Sequence, residues 1–314
     1  RQEDAMKLYD TFLPEDLPFF EPDGKVGLLA TVSDEGLPHM TLITAMRAPD
    51  TSRLVFGQFC EGLGKEYAER NRRTGFLIMT LDKALWRGKS DWTAKAGTGP
   101  EHEVFNAKPM WRYNSYFGIH TVHYLDVKGT TRREKLPMGA IIAGVVKAAL
   151  PGGKRRRKPA GTVPEPAMND WTLRFISKTG NLKFLSYIGG DGYPVIIPCL
   201  SASAADPGTI LIPGSEYKKE VAAIPDGAPM CLFTMSLDME TVLVRGEFRR
   251  PGARSVLGGA GKPAGRTGAG NNPGRRGNSC TAGRLEVNWV YNSMPPVAKR
   301  IYPPDPANAK VTVF

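Results

Sequence analysis

Apolar and polar positions alternate over short runs through most of the chain, and two of these runs share one plan. "LLATVSDEGLPHMTLIT" (Leu28–Thr44) and "FLSYIGGDGYPVIIPCL" (Phe184–Leu200) each read as a strand, a tight acidic-glycine turn, then proline and a second strand. That is the signature of a β-hairpin. The plan continues downstream. Pro38 to Phe56 is 18 residues and Pro194 to Ile212 is 18. Each half then has a glycine-containing turn with a Lys-Glu pair (Lys65-Glu66, Lys219-Glu220). An apolar strand follows ("GFLIMTL", "MCLFTMSL"), leading to Arg87-Gly88 or Arg245-Gly246. Finally "WRYNS" (Trp111–Ser115) matches "WVYNS" (Trp289–Ser293). Shared order and spacing predict a tandem duplication.

Only the last spacing differs, with 23 residues from Gly88 to Trp111 and 43 from Gly246 to Trp289. This places a Gly- and Arg-rich insertion at about 249–284 in the second copy. Each copy is mostly short strands with one or two short helices, which predicts a mainly β fold of two antiparallel barrels; closure removes the edges a lone hairpin set would expose. The expected domains are 1–135 for the first barrel, 136–170 for a linker helix and basic linker, and 171–314 for the second barrel. The linker helix is the apolar run "LPMGAIIAGVVKAAL", stopped by Pro151-Gly152-Gly153. Lys147 inside the run favours packing on a barrel over contact with a membrane surface.

The net charge of +11 changes little once it is located. Lys154–Lys158 holds five basic residues, and Arg249–Arg284 holds eight more and no acid. Without those 13 the chain has 29 basic against 31 acidic residues, or −2. A nucleic-acid face is normally an ordered surface with interleaved aromatics, so solvated basic loops are the reading and no nucleic-acid partner is expected. Apolar runs all fall short of the ~20 residues of a membrane span, and "RQEDAMKLYD" is too polar for a signal-peptide core. Cys60, Cys199, Cys231 and Cys280 lie far apart, as free thiols do in a reducing compartment. The expected location is the cytoplasm.

Most of the candidate chemistry sits in "FGQFCEGLGKEYAERN" (Phe56–Asn71), where a strand end passes through two glycines into a helix opening near Lys65. Glycines let backbone approach a phosphate closely, and a helix start offers free N–H groups and partial positive charge. In isolation, however, a lysine after a turn is a common surface residue. His120 and His123, three apart on a strand, face opposite ways with no third ligand near in sequence, and are read as packing or groove-lining residues. His102 has acidic neighbours but no nucleophile motif; G-x-S-x-G and H-E-x-x-H are absent. "GGAGKPAGRTGAG" fails as a phosphate-binding P-loop because Val256 and Pro263 occupy its required Gly and Ser/Thr positions. No metal site and no catalytic residue is assigned.

Leu28–Leu42 with its Gly-x-Pro-His turn, followed by "LVFGQFCEGLGKEYAERNRRTGFLIMTL", resembles the pyridoxamine 5′-phosphate oxidase-like, FMN-binding split-barrel family. The resemblance covers Lys25–Lys89 well and Leu182–Phe248 more weakly. It implies six-stranded antiparallel split barrels that pair, here as an intramolecular pseudo-dimer, with FMN held in the groove between them. The strand His39, Met40, Thr41, Leu42 and Ile43 would line the flavin ring, and Phe56, Gly57, Gln58, Gly64 and Lys65 the ribityl chain and phosphate, with Arg70, Arg72 and Arg73 nearby. Trp86 would contact the cofactor or lie in the core. Trp111, Tyr113 and Asn114, with Trp289, Tyr291 and Asn292, would cap the opposite groove or pack the interface. In the second copy Ser215, Lys218 and Lys219 are on offer, but Val195 replaces His39 and Pro198 removes a backbone donor. One good site is therefore expected. The implied activity is an oxidoreductase passing hydride or electrons through the flavin to a small-molecule substrate or from an electron donor. The alternatives are a haem-binding or haem-degrading barrel with His39 or His120 as axial ligand, a deazaflavin-dependent reductase, and a non-catalytic flavin-binding protein. The chain would act as a monomeric pseudo-dimer or as a homodimer of such chains.

Overall fold

A computed structural model of the chain describes residues 6–22, 24–58, 61–108, 118–149, 167–213, 216–251, 282–292 and 299–303. It is mainly β, with two antiparallel sheets in tandem. The first contains β1 (Val26–Val32), β2 (Pro38–Leu42), β3 (Met46–Asp50), β4 (Arg53–Gln58), β5 (Arg73–Met79), β6 (Ala84–Ala96), β7 (Thr121–Thr130) and β8 (Glu134–Lys135). The second contains β9 (Leu182–Ile188), β10 (Pro194–Pro198), β11 (Ser203–Asp206), β12 (Thr209–Ile212), β13 (Pro229–Met235), β14 (Thr241–Arg249), β15 (Gly283–Asn292) and β16 (Lys299–Tyr302). Strand order is β2-β1-β5-β6-β7-β4-β3 in one and β10-β9-β13-β14-β15-β12-β11 in the other, the same path shifted by eight. Short strands join each path, β8 on β6 and β16 on β15, so the count is eight per sheet rather than the six the resemblance implied. Two- and four-residue pairings carry no periodicity for a sequence reading to detect.

Both sheets must curl. Their edge strands β2 and β3 are consecutive in sequence, and four residues from Leu42 to Met46 reach at most about 14 Å. A flat path with six inter-strand gaps would hold its edges about 29 Å apart. The same holds for β10 and β11, from Pro198 to Ser203. The predicted hairpins are present: β1 pairs with β2 from Val32↔Pro38, and β9 with β10 from Ile188↔Pro194. Their turns place Gly36 at φ 73° and Gly192 at φ 81°, where a Cβ would be strained.

Strand alternation divides the apolar residues into three large layers. Leu29, Phe76, Ile78 and Trp86 fill the first barrel with Phe12, Phe20 and Phe56. Leu185, Leu232, Val242 and Val244 fill the second with Phe248 and Leu285. The opposite faces meet in a shared layer: Leu28, Ala30, Met40, Leu77 and Leu85 from the first sheet against Phe184, Ile196, Cys231, Phe233, Leu243 and Tyr291 from the second. The two sheets thus form the expected intramolecular pair.

Five α-helices accompany the strands among the described residues, besides a 3-10 helix over Pro14–Phe20: α1 (Leu63–Arg70), α2 (Pro100–Ala107), α3 (Met138–Ala149), α4 (Asp170–Ser177) and α5 (Lys218–Ala223). The link between the sheets carries α3, whose Ile141 packs into the shared layer while Ile142 is 60% exposed. Asn169 caps α4, its side chain accepting the Thr172 N–H at 2.9 Å. No described helix is long and apolar enough to cross a membrane. Both basic runs, Lys154–Lys158 and most of 249–284, lie outside the described residues.

Topology also revises the end of the repeat. Trp289 lies in β15, opposite Arg245. At the matching place beside β7 the residue paired with Arg87 is Thr131, by Arg87 N–H to Thr131 Oγ1 at 3.1 Å and Thr131 N–H to Arg87 O at 2.8 Å. Trp111 precedes β7 and lies outside the described residues with Tyr113 and Asn114. The W-x-Y-N-S match therefore does not join equivalent positions, and the β6–β7 and β14–β15 connections are 24 and 33 residues long. Phe233 is fully buried at the centre of the shared layer. Phe233→Ala is expected to cost about 3–5 kcal/mol in chemical denaturation, seen in one transition for both sheets.

Candidate functional site

Alternation along β2 splits the strand expected to line the ring. Met40 and Leu42 turn into the shared apolar layer, whereas His39 and Thr41 turn toward α1. A Cβ on Gly64 would sit 2.1 Å from Thr41 Oγ1 and 3.5 Å from His39 Cδ2, so only glycine lets the helix start approach the strand this closely. Ile43 is buried inside the first barrel.

His39 is 1% exposed and meets the other barrel directly. Its ring lies 5.4 Å from Tyr291 and 6.3 Å from Trp289, both edge-on, and 5.4 Å from Tyr67 of α1. Arg245 Nη2 stands 3.4 Å from His39 Nδ1, and the Arg245 guanidinium stacks 3.8 Å over the Trp289 ring. Trp289 and Tyr291 stack on each other at 5.2 Å, two residues apart on one face of β15. Asn292 takes the opposite face, paired with Lys299. Burial, and then the positive Arg245, pull the His39 imidazole down to about 3, so it stays neutral at ordinary pH. Thr41 Oγ1 and Arg245 Nε are buried here with no hydrogen-bond partner among the described residues.

Beside this cluster lies a second group. Phe56 stacks on His123 at 4.6 Å, with ring planes 4° apart. Trp92 Nε1–H donates to His123 Nδ1 at 3.1 Å, which leaves the proton on Nε2 to donate to Gln58 Oε1. Burial pulls His123 down to about 4, with Glu69 opposing and the nearby charges of Lys65 and Lys95 adding to it. Lys65 itself is buried, 7% exposed, on the first turn of α1. That helix starts at Gly62 without a capping side chain; the Lys65 N–H donates to Gly62 O at 3.0 Å, and the Leu63 and Gly64 N–H groups have no partner among the described residues. Gly57 packs against Ile119, where a Cβ would fall 2.7 Å from Cδ1.

Other expected residues lie elsewhere. Trp86 is in the first barrel's core, edge-on to Phe20 at 4.9 Å, because its neighbour Arg87 takes the interface face of β6. Arg70 pairs with Asp34 on the surface, Arg73 lies over Tyr193, and Arg72 is exposed. Arg245 and Tyr67 were not singled out by motif. The only sequence signal for Arg245 was the repeated Arg-Gly.

The pseudo-symmetric groove is built differently. Arg87, equivalent to Arg245, is 2% exposed and fully engaged. It donates to Glu220 at 2.7 and 3.0 Å, to both oxygens of Glu134 at 3.1–3.3 Å and to Ile196 O at 2.9 Å, with the Tyr217 ring 4.7 Å away. The helices explain the difference. In α1 the buried member of the Lys-Glu pair is Lys65, while Glu66 is exposed; in α5 it is Glu220, while Lys218 and Lys219 are exposed. One arginine, Arg245, therefore faces a neutral histidine and an indole, while the other, Arg87, closes an internal ion pair; Lys65 is buried on α1, close enough to act on His123. Ser215 lies outside the described residues, and Val195 and Pro198 are placed on β10. Among the described residues no group of three or more His, Cys, Asp or Glu is placed to hold a metal. Cys199 and Cys231 are buried free thiols, and burial pushes Cys231 up to about 12.

No protein-family profile and no curated protein matches this chain. Solved structures with some likeness include HupZ of Group A Streptococcus, at TM-score 0.31 and 16% identity over 38% of this chain and 91% of that one. An FMN-binding protein from Syntrophomonas wolfei matches at 0.30 and 10% over 37% and 80%. A FAD-binding protein from Mesorhizobium loti matches at 0.27 and 13% over 40% and 96%. Function is therefore read from this chain's own side chains.

Two outcomes are expected. The unfolded chain protonates its histidines near 6.5, while folded His39 and His123 resist protonation down to about 3 and about 4. Stability should thus fall as pH drops from 6.5 toward 4, by about 1.4 kcal/mol per pH unit for each histidine. Urea titrations across that window should show a shallower slope for His123→Gln. Separately, Glu220→Ala is expected to cost about 3–5 kcal/mol, and Glu220→Gln less, because Arg87 is otherwise left buried with one carboxylate fewer.

Proposed function

We propose that the chain is a flavin-binding oxidoreductase that holds one FMN in the groove between the barrels on the His39 side. The observation that carries this reading is the meeting of His39, Thr41 and Gly64 of one barrel with Arg245, Trp289 and Tyr291 of the other, where two buried polar atoms lack partners among the described residues. Such a set fits a flat ligand rich in carbonyl oxygens and ring nitrogens. Thr41 Oγ1 and the guanidinium would meet the ring, and neutral His39 would offer no competing charge. Lys65 and the uncapped start of α1 would hold the phosphate by charge and by free N–H groups.

When bound, the flavin supplies hydride or electron transfer. The chain's part is to orient it, to exclude water with the three aromatic rings around His39, and to keep Arg245 charged beside the ring. The opposite groove presents Glu220 where a phosphate would need a cation, which supports a stoichiometry of one. The two partners of the reaction remain a small-molecule substrate and an electron donor.

Titration of the full chain with FMN, followed by flavin fluorescence and visible absorption, tests the reading. Saturation at one FMN per chain is expected, with affinity lowered about tenfold or more in Lys65→Ala, as for loss of one charge-assisted contact. A protein that takes up no FMN, or one that shows a haem Soret band as purified, would refute it. Equal affinity in Lys65→Ala would remove that lysine from the site.

A further inference from the structure

A cavity of about 330 Å³ opens outside the Arg87 ion pair, and neither His39 nor Lys65 lines it. Its inner wall is Arg87 with Glu134 and Glu220, whose four carboxylate oxygens all face that one guanidinium. Its outer wall comes from the segment preceding the first sheet, which is fixed in place: Tyr9 and Thr130 exchange backbone hydrogen bonds at 2.8 Å in both directions.

The rim is cationic. Lys7, Arg132 and Arg133 line it together with the inner three charges, giving four cations against two acids. Arg133 stands 3.8 Å from Asp16 and stacks on Phe19. Lys7 and Arg132 are held otherwise. Both lie over the Tyr9 ring, at 5.1 and 3.9 Å, and Arg132 also donates to Thr11 O at 3.0 Å. Neither has a carboxylate within ion-pair distance among the described residues. An aromatic ring and a carbonyl orient these cations without neutralising them. The inner three charges sum to −1, one guanidinium against two carboxylates, so Lys7, Arg132 and Arg133 leave the cavity lining at a net +2.

We propose that this cavity is a small-anion site, taking a dicarboxylate or a phosphate group of a small molecule on Arg132 and Lys7. It is separate from the groove that contains His39 and Lys65, and it does not depend on flavin binding there. Its volume admits a ligand of about ten to fifteen heavy atoms, at roughly 20–30 Å³ each, the volume scale of a liquid water molecule. The positive rim draws an anion in, while the fixed Arg87 pair blocks deeper entry.

Calorimetric titration of the full chain with inorganic phosphate and, in a second arm, with malonate tests the proposal. Saturable binding of at least one anion at one per chain is expected, weakened about tenfold in Arg132→Gln and further in the Lys7→Gln, Arg132→Gln double variant. Tyr9→Phe, which keeps the ring under both cations, should bind as the parent does and shows that the segment remains folded. Lys65→Ala should leave this binding unchanged. The absence of saturable heat with both anions would overturn the proposal. So would equal affinity in Arg132→Gln, or binding lost in Lys65→Ala but kept in the double variant.

Discussion

Everything that positions the candidate site depends on one constraint: each curled sheet has an apolar outer face that must be covered. Leu28, Met40 and Leu77 on one sheet and Phe184, Ile196 and Phe233 on the other cover each other. Because strand side chains alternate, the residues that flank this layer are fixed by the same register. On β6 and β14 the interface positions next to the apolar run are Arg87 and Arg245. Each arginine therefore crosses to the neighbouring barrel: Arg87 reaches β10 and α5, and Arg245 reaches His39 on β2. Two grooves follow from one packing event.

The grooves share a plan and differ in charge. A buried guanidinium needs either a carboxylate or a ligand oxygen, because burial without a partner is costly. Arg87 has its carboxylates inside the protein. Arg245 has a neutral histidine at 3.4 Å and an indole face. The switch lies in which residue of a Lys-Glu pair points inward, Lys65 in α1 or Glu220 in α5. A one-residue change in helix phase turns a side chain by about 100°, enough to exchange a cation for an anion at the same place. This phase difference leaves Arg245 beside a neutral histidine and closes Arg87 on carboxylates.

Much of the fold was legible from pattern. The two hairpins, the apolar strand leading to Arg-Gly and the helix at Lys65 all stand where alternation and glycine turns put them, since each is a local feature with its own periodicity. His39, Thr41, Gly64, Trp289 and Tyr291, which the sequence put at one groove, are found close together. Legibility failed where contacts are non-local. Trp86 and Arg87 are adjacent in sequence and face opposite ways, and the tryptophan went into the core. W-x-Y-N-S looked like a shared ending, yet Thr131 occupies the place of Trp289 beside Arg87. Short strands β8 and β16 gave no signal at all.

The sequence by itself determined the repeat, the hairpin registers and the class of fold, because turn chemistry and a period of two act over a few residues. Only the tertiary structure decided which members of each strand meet across the barrels, that Arg245 stands beside His39, and that Glu220 closes the second groove on Arg87. Those outcomes depend on the curl of two sheets and on the phase of two short helices, quantities that no single stretch of sequence contains.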